Sequence, residues 1–238
     1  MNLSASTDKI STGVTYQYIS TLIVLLEGLL FYIFLVHIFD TEIVGAIALL
    51  SAIFFLFSII FSLGLGTGVQ HFISYYIGRN DPNAVKQIIK KMSLVAVIVS
   101  IIAFLFIWFT APEFAILFFH SLKYTIFIQV LALAILSNVI NSVIYSILLG
   151  LQNFKANAIR NIITSTVAYG SIIPLLIINF NPLMIVVGWV IGYYTGTILT
   201  FLFLYNRMKV IKSNIVERVQ LKPIFYYSFP LFISGLIG

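Results

Sequence analysis

The sequence predicts an all-α, multi-pass membrane protein, and three observations carry that prediction. Hydrophobic residues make up 61% of the 238 and charged residues 8%, with a mean hydropathy of +1.11; a water-soluble globule has no interior large enough for so much apolar surface. The apolar residues come in six long runs separated by short polar turns, and a hydrocarbon core about 30 Å thick takes roughly 20 residues per helix. Twelve of the thirteen Lys and Arg residues fall on alternate turns, the pattern expected when short basic loops are retained on one side of the bilayer.

The first run, Val14 to Phe39, is too long for the core of a signal peptide and has no small-residue cleavage pattern behind it, so it reads as span one. The second, Ile43 to Ile77, exceeds one straight crossing and holds Gly64, Gly66 and Gly68. A kink at the glycines, with the helix continuing past the headgroups, fits better than two spans. Ile88 to Ala111 and Tyr124 to Leu151 are spans three and four, and Ala158 to Ile178 is span five, which Pro174 is expected to bend. In span six, Leu183 to Tyr205, the residues Gly188, Gly192, Gly196 and Thr200 recur every four positions and put small side chains on one packing face. A seventh run opens at Lys222-Pro223 and stops at Gly238 after about 16 residues, short of a crossing.

The connections around Asp40 to Glu42, Glu113 to Lys123 and Asn179 to Pro182 are read as turns and carry only Lys123. Lys9, Arg79, Lys86, Lys90, Lys91, Lys155, Arg160, Arg207, Lys209, Lys212, Arg218 and Lys222 share the opposite side. That side is expected to be the cytoplasm, with the N-terminus in it and the protein in the cell membrane. Residues 1–222 then form one six-helix transmembrane lobe, and 223–238 are the truncated start of helix seven, with a second lobe missing.

Polar residues inside the spans are the candidates for function. Glu27 is the one acidic residue deep within a run, where a carboxylate costs about 3 kcal/mol on insertion scales. Tyr16 and Ser20 share its helical face, giving a polar stripe that suits a proton- or cation-binding site on a solvated pathway, or a hydrogen-bonded glutamic acid inside the bundle. Span four carries Asn138, Asn141, Tyr145 and Gln152 on one stripe, with Gln129 on the same run; such side chains suit sugar hydroxyls and interhelical hydrogen bonds equally. Arg160, Thr164 and Ser171 share a face of span five, and Arg160 at the basic mouth suits either a phosphate or an ordinary positive-inside anchor. His71 lies near the basic end of span two beside Gln70, as an interfacial hydrogen-bonder or a pH-sensitive group. His37 and His120 lie toward the other surface, and the three histidines form no metal site.

There are no cysteines, and no paired-carboxylate site, phosphate loop or histidine-acid motif appears. An enzyme of glycolipid assembly would need clustered acids or histidines near a surface, so no enzyme, cofactor or nucleic-acid partner is expected.

Four stretches together resemble the polysaccharide flippases, of the O-antigen and teichoic-acid exporter type, in the multidrug/oligosaccharidyl-lipid/polysaccharide exporter superfamily. They are Asp40 to Leu49, Ser62 to Ser74 followed by Gly78-Arg79-Asn80-Asp81, Leu149 to Lys155, and Tyr227 to Leu231. The resemblance implies an N-terminal MATE-like lobe that pairs with a second six-helix lobe, supplied by a second copy or another polypeptide, and rocks to open a central cavity to alternate faces. It implies a lipid-linked oligosaccharide as substrate and membrane lipids around the whole; moving a charged headgroup can be coupled to a proton or sodium gradient, and Glu27, as the deep carboxylate, is the residue expected to couple it. Relatives often carry arginine where His71 stands here. A multidrug and toxin antiporter of the same superfamily is the alternative, and a non-functional fragment a further one.

Overall fold

The computed structural model describes residues 3–210 and 222–237. Lys212, Arg218 and Gly238, which enter the charge pattern and the seventh run, lie outside the described residues. The described chain is helical almost throughout: α1 Leu3–Ile38, α2 Thr41–Ser62, α3 Leu65–Gly78, α4 Pro82–Phe109, α5 Ala111–Phe119, a 3-10 turn Leu122–Tyr124, α6 Thr125–Gly150, α7 Phe154–Ile178, α8 Leu183–Val210 and α9 Lys222–Ile237. Six of these helices, α1, α2, α4, α6, α7 and α8, are long and apolar enough to cross a membrane, where every backbone group must find its partner within the helix. The chain is an all-α membrane protein.

Local signals explain the breaks. Leu63 and Gly64 both take left-handed backbone angles, φ 49° and 61°, so α2 ends and α3 restarts in a new direction; glycine adopts this conformation freely and leucine does not. The long second run is therefore one span plus a second helix, as the glycines indicate. Asp81 starts α4 by accepting a hydrogen bond from the Ala84 amide at 3.0 Å, with Pro82 in the first turn. Helix α7 runs through Pro174 without interruption.

One connection differs from expectation. The segment Glu113 to Lys123 is not a plain turn, because Ala111–Phe119 forms α5 and the 3-10 turn follows. Glu113 is an acidic residue in the first turn of a helix, where it favours the helix dipole, and the rest of the segment is apolar. Phe114 packs on Phe57 with ring centroids 5.0 Å apart, which anchors α5 to the end of the bundle.

The apolar interior falls into two clusters divided along α6. One gathers Leu35, Leu50, Ile107, Leu131, Ile135 and Ile172 toward the connections poor in positive charge. The other gathers Val69, Ile73, Ile88, Met92, Ile144 and Ile147 toward the lysine-rich end. The small-residue face of α8 closes on α7 as its spacing predicts: a Cβ on Gly192 would stand 2.6 Å from Ala168 Cα, and one on Gly188 would stand 3.0 Å from the Ala168 carbonyl. Thr200 departs from that face and turns toward α6, its Oγ1 lying 3.2 Å from Asn141 Oδ1.

Candidate functional site

Helices α1 and α7 run side by side in the same direction, and polar residues pair along their seam at a nearly constant offset. Gln17 donates to the Phe154 carbonyl at 2.9 Å and accepts from Asn157 Nδ2 at 3.2 Å. Further along, Glu27 accepts hydrogen bonds from Ser165 Oγ and from Thr166 Oγ1, the latter at 2.5 Å. Phe31 then stacks on Tyr169, with ring centroids 4.9 Å apart. Glu27 thus sits mid-helix, half-buried, with two hydroxyl donors and with acceptor positions left over, since a carboxylate offers about four.

The Tyr16, Ser20 and Glu27 stripe follows this seam. Ser20 is buried, its hydroxyl donating to the Gln17 carbonyl at 2.9 Å. Tyr16 is exposed and lines a pocket of about 340 Å³ with Gly13, Gln152, Asn153, Phe154 and Lys155. That pocket opens at the lysine-rich end, where the α6–α7 turn passes over α1; Gln152 makes the turn with φ 55°.

The span-four stripe is divided between two neighbours. Asn141, 2% exposed, donates to Thr197 Oγ1 at 2.8 Å and to the Tyr193 carbonyl at 3.3 Å, and its Oδ1 faces Thr200 Oγ1. Ser137 Oγ lies 2.5 Å from the same Thr197 hydroxyl. Asn141 therefore fastens α6 to α8. Asn138, half-buried, has no side-chain hydrogen bond among the described residues.

Tyr145 faces the other way, toward α7: Arg160 Cζ stands 5.3 Å from its ring centroid, within cation–π range. Arg160 is 7% exposed, between buried Asn157 and Thr164. Its side chain is thus directed between α6 and α7 rather than outward from the bundle. One guanidinium nitrogen, Nη2, reaches Asn161 Oδ1 at 3.3 Å, while Nε is buried with no hydrogen-bond partner. No carboxylate pairs with this cation among the described residues. Thr164 and Ser171, on the same face, are taken up by the backbone: Thr164 donates to the Arg160 carbonyl at 2.8 Å and Ser171 to the Ala168 carbonyl at 3.2 Å.

His71 is exposed on α3, its ring stacked on Tyr227 of α9 with centroids 4.5 Å apart at 13°. Beside it Gly68 admits α9 closely, for a Cβ there would stand 3.0 Å from the Ile224 carbonyl. Ser74 donates to the Gly150 carbonyl at 3.4 Å. Three of the four stretches that carry the family resemblance meet here, around α3, and the fourth lies at the other end.

Sequence reasoning missed Ser165, Thr166, Gln17, Asn157 and Thr197. The signal for the first two was depth: Glu27 and the Ser165-Thr166 pair stand at similar distances from the C-terminal ends of α1 and α7, which a polar residue seeking a partner in oil makes informative.

A family model described as MatE matches residues 18–174, about two thirds of the chain. The chain belongs to the MatE family. No curated protein matches it. Among solved structures it is similar to a multidrug resistance MATE family transporter of the MOP superfamily in an outward-facing conformation, at 17% identity and TM-score 0.81, covering 96% of this chain and 52% of that one. It is also similar to a MATE protein in a straight conformation, at 19% identity, TM-score 0.76 and coverages of 96% and 53%. A third is a MOP superfamily transporter from Pyrococcus furiosus Vc1 (DSM3638), described as having a binding pocket of reverse polarity that suggests a different function, at 16% identity, TM-score 0.74 and coverages of 94% and 50%. At these identities the likeness is one of fold: a MatE lobe. The chain spans about half the length of these structures.

Proposed function

We propose that the chain is one lobe of a transporter that carries a polyprenyl-phosphate- or polyprenyl-pyrophosphate-linked oligosaccharide across the cell membrane. The lysine-rich end and the N-terminus face the cytoplasm in this reading. Residues up to about 222 make the lobe, the segment that follows begins its partner, and a second six-helix lobe, from another polypeptide or a second copy, completes an alternating-access passage. Chemistry on covalent bonds has no place in it.

The observation that carries this reading is Arg160. A guanidinium enclosed by α6 and α7, with no carboxylate paired to it and no hydrogen-bond partner for Nε among the described residues, supports anion binding, and arginine suits phosphate oxygens. Tyr145 holds it from one side. Tyr16, Asn138 and Lys155 offer hydroxyl, amide and ammonium groups for sugar or phosphate. Glu27 is the coupling carboxylate, its free acceptor positions open to a proton or sodium ion. A cation-exporting multidrug antiporter is the second reading, supported by Glu27 and by the multidrug-resistance transporter among the structural neighbours.

Binding separates them. In nanodiscs, a short-chain polyprenyl pyrophosphate carrying a fluorescent sugar should bind the chain, and Arg160→Gln should weaken it tenfold or more, as loss of a hydrogen bond to charge worth about 1.5–3 kcal/mol implies. Equal affinity in the variant rejects the role of Arg160. Binding of a lipophilic cation that disappears in Glu27→Gln would favour the antiporter instead. In the two-lobe assembly, Glu27→Gln should abolish transport while leaving expression intact, and unchanged transport removes the coupling role.

A further inference from the structure

Helix α3, with 14 residues, is too short to span the membrane by itself, and close contacts hold it on two sides. A Cβ on Gly66 would stand 3.3 Å from the Ser142 carbonyl of α6, and one on Gly68 would stand 3.0 Å from the Ile224 carbonyl of α9. A third side stays open. Along it Thr67, His71, Tyr75 and Arg79 recur every four residues, all of them exposed, a spacing that sets side chains in one row on a helix. At 1.5 Å per residue the row is about 18 Å long.

The row combines ring faces with hydrogen-bonding groups. The His71 ring lies nearly parallel on Tyr227, which is itself 41% exposed. Tyr75, 46% exposed, accepts from Arg79 Nη1 at 2.9 Å, which spends one of five guanidinium donors. Thr67 donates to the Gly64 carbonyl at 2.8 Å and keeps its acceptor positions, and a neutral imidazole adds one donor and one acceptor. Acyl chains would leave such groups without partners, so this face belongs against water or a polar ligand. A ligand matching both features has an apolar C–H face and hydroxyls around its edge, as a pyranose does. With one cation and no acid in it, the row suits hydroxyls better than charge.

We infer that the α3 row, together with Tyr227, is a binding track for neutral sugars of the oligosaccharide. Pyranose rings stack on the open sides of Tyr75 and of the His71–Tyr227 pair, and their hydroxyls bond to His71, Arg79 and Thr67. The inference rests on the proposed lipid-linked substrate. It assigns the reading of sugars to a helix other than the pair that encloses Arg160, so the sugar and the phosphate can be tested apart.

The test uses the full chain in nanodiscs and two probes: free chitotriose, a neutral trisaccharide, read by saturation-transfer NMR, and a short-chain polyprenyl pyrophosphate with and without chitotriose attached. Irradiating the protein should transfer magnetisation to the ring C–H protons of chitotriose, and Tyr75→Leu with Tyr227→Leu should cut the transfer by about fivefold. Both side chains are exposed, so the lobe should fold without them; His71→Gln, which keeps hydrogen bonding and removes the stacked ring, should lower the transfer by about twofold. Attached chitotriose should tighten carrier binding by about tenfold in the unmodified chain and leave it nearly unchanged in the double variant. No transfer to free chitotriose, or a gain that survives the loss of both rings, overturns the track. Arg160→Gln separates this reading from that of the phosphate. Transfer to chitotriose that persists there supports the track even if the bare carrier binds the variant as well as it binds the unmodified chain and the phosphate role fails, whereas transfer lost in Arg160→Gln overturns the track as a separate site.

Discussion

Two polar layers cross this lobe, built from the same kinds of residue and finished to different degrees. Between α6 and α8, Asn141 has both its amide nitrogen and its oxygen matched by Thr197, the Tyr193 carbonyl and Thr200. On α7, Arg160 has a tyrosine face, one long contact to its sequence neighbour, and a buried Nε with no hydrogen-bond partner among the described residues. In hydrocarbon an unmatched polar group costs several kcal/mol, so completion is the default and its absence is informative. The finished layer fixes the distance between two helices. In the proposed transporter the unfinished one is where an anion would bind.

Both layers depend on the α7–α8 seam, and breaking it should have the largest effect. Gly192→Leu drives a side chain into the Ala168 backbone and should destabilise the lobe by about 3 kcal/mol, as overpacking does at its upper range. Gly45, which has open space where a Cβ would stand, is the control: Gly45→Ala should leave the midpoint of detergent unfolding unchanged or raise it.

Arg160→Met sharpens the contrast because its sign is opposite. Removing a buried charge that lacks a counter-ion should stabilise the lobe by about 2 kcal/mol while ending anion binding. A loss of stability of that size would make Arg160 a structural member of the α6–α7 contact and erase the difference between the layers. Asn141→Leu should do the reverse, costing about 1.5 kcal/mol, near the top of measured interhelical hydrogen bonds in membranes, with anion binding kept. Equilibrium unfolding in mixed micelles reads both.

The architecture was legible in the sequence because hydrophobic length and charge placement act over whole segments. Six spans, the break after Ser62 and the packing of Gly188, Gly192 and Gly196 on one neighbour all follow from spacing along a single helix. The segment Ala111–Phe119 escaped because Glu113, a residue at home in a helix's first turn, gave an apolar helix the look of a polar turn. The site was legible as residues but not as partners. Glu27 and Arg160 stand out by their chemistry alone, yet nothing local says that Glu27 meets Ser165 and Thr166, or that Arg160 turns inward to Tyr145. Those pairings belong to the relative register of α1, α6 and α7, which only packing sets. Asn138 and Asn141 lie on one helical stripe, and the same packing gives Asn141 three side-chain hydrogen bonds and Asn138 none among the described residues.

The smallest predicted effect tests whether the finished layer is a sum of pairs or a unit. Thr200 Oγ1 lies 2.6 Å from the Gly196 carbonyl of its own helix and 3.2 Å from Asn141 Oδ1, so its hydroxyl has a local alternative to the interhelical bond. Thr200→Val keeps the branched shape and removes only the donor. It should cost about 0.6 kcal/mol, the average of interhelical pairs measured in a membrane protein, and Thr200→Ser should cost less. If Thr200→Val instead matched the loss from Asn141→Leu, the hydroxyl would be holding the amide in the orientation that reaches Thr197 and Tyr193, and the layer would act cooperatively. A double variant, Thr200→Val with Asn141→Leu, distinguishes the cases: additive losses mean independent bonds, whereas a double variant no worse than Asn141→Leu alone means a single unit.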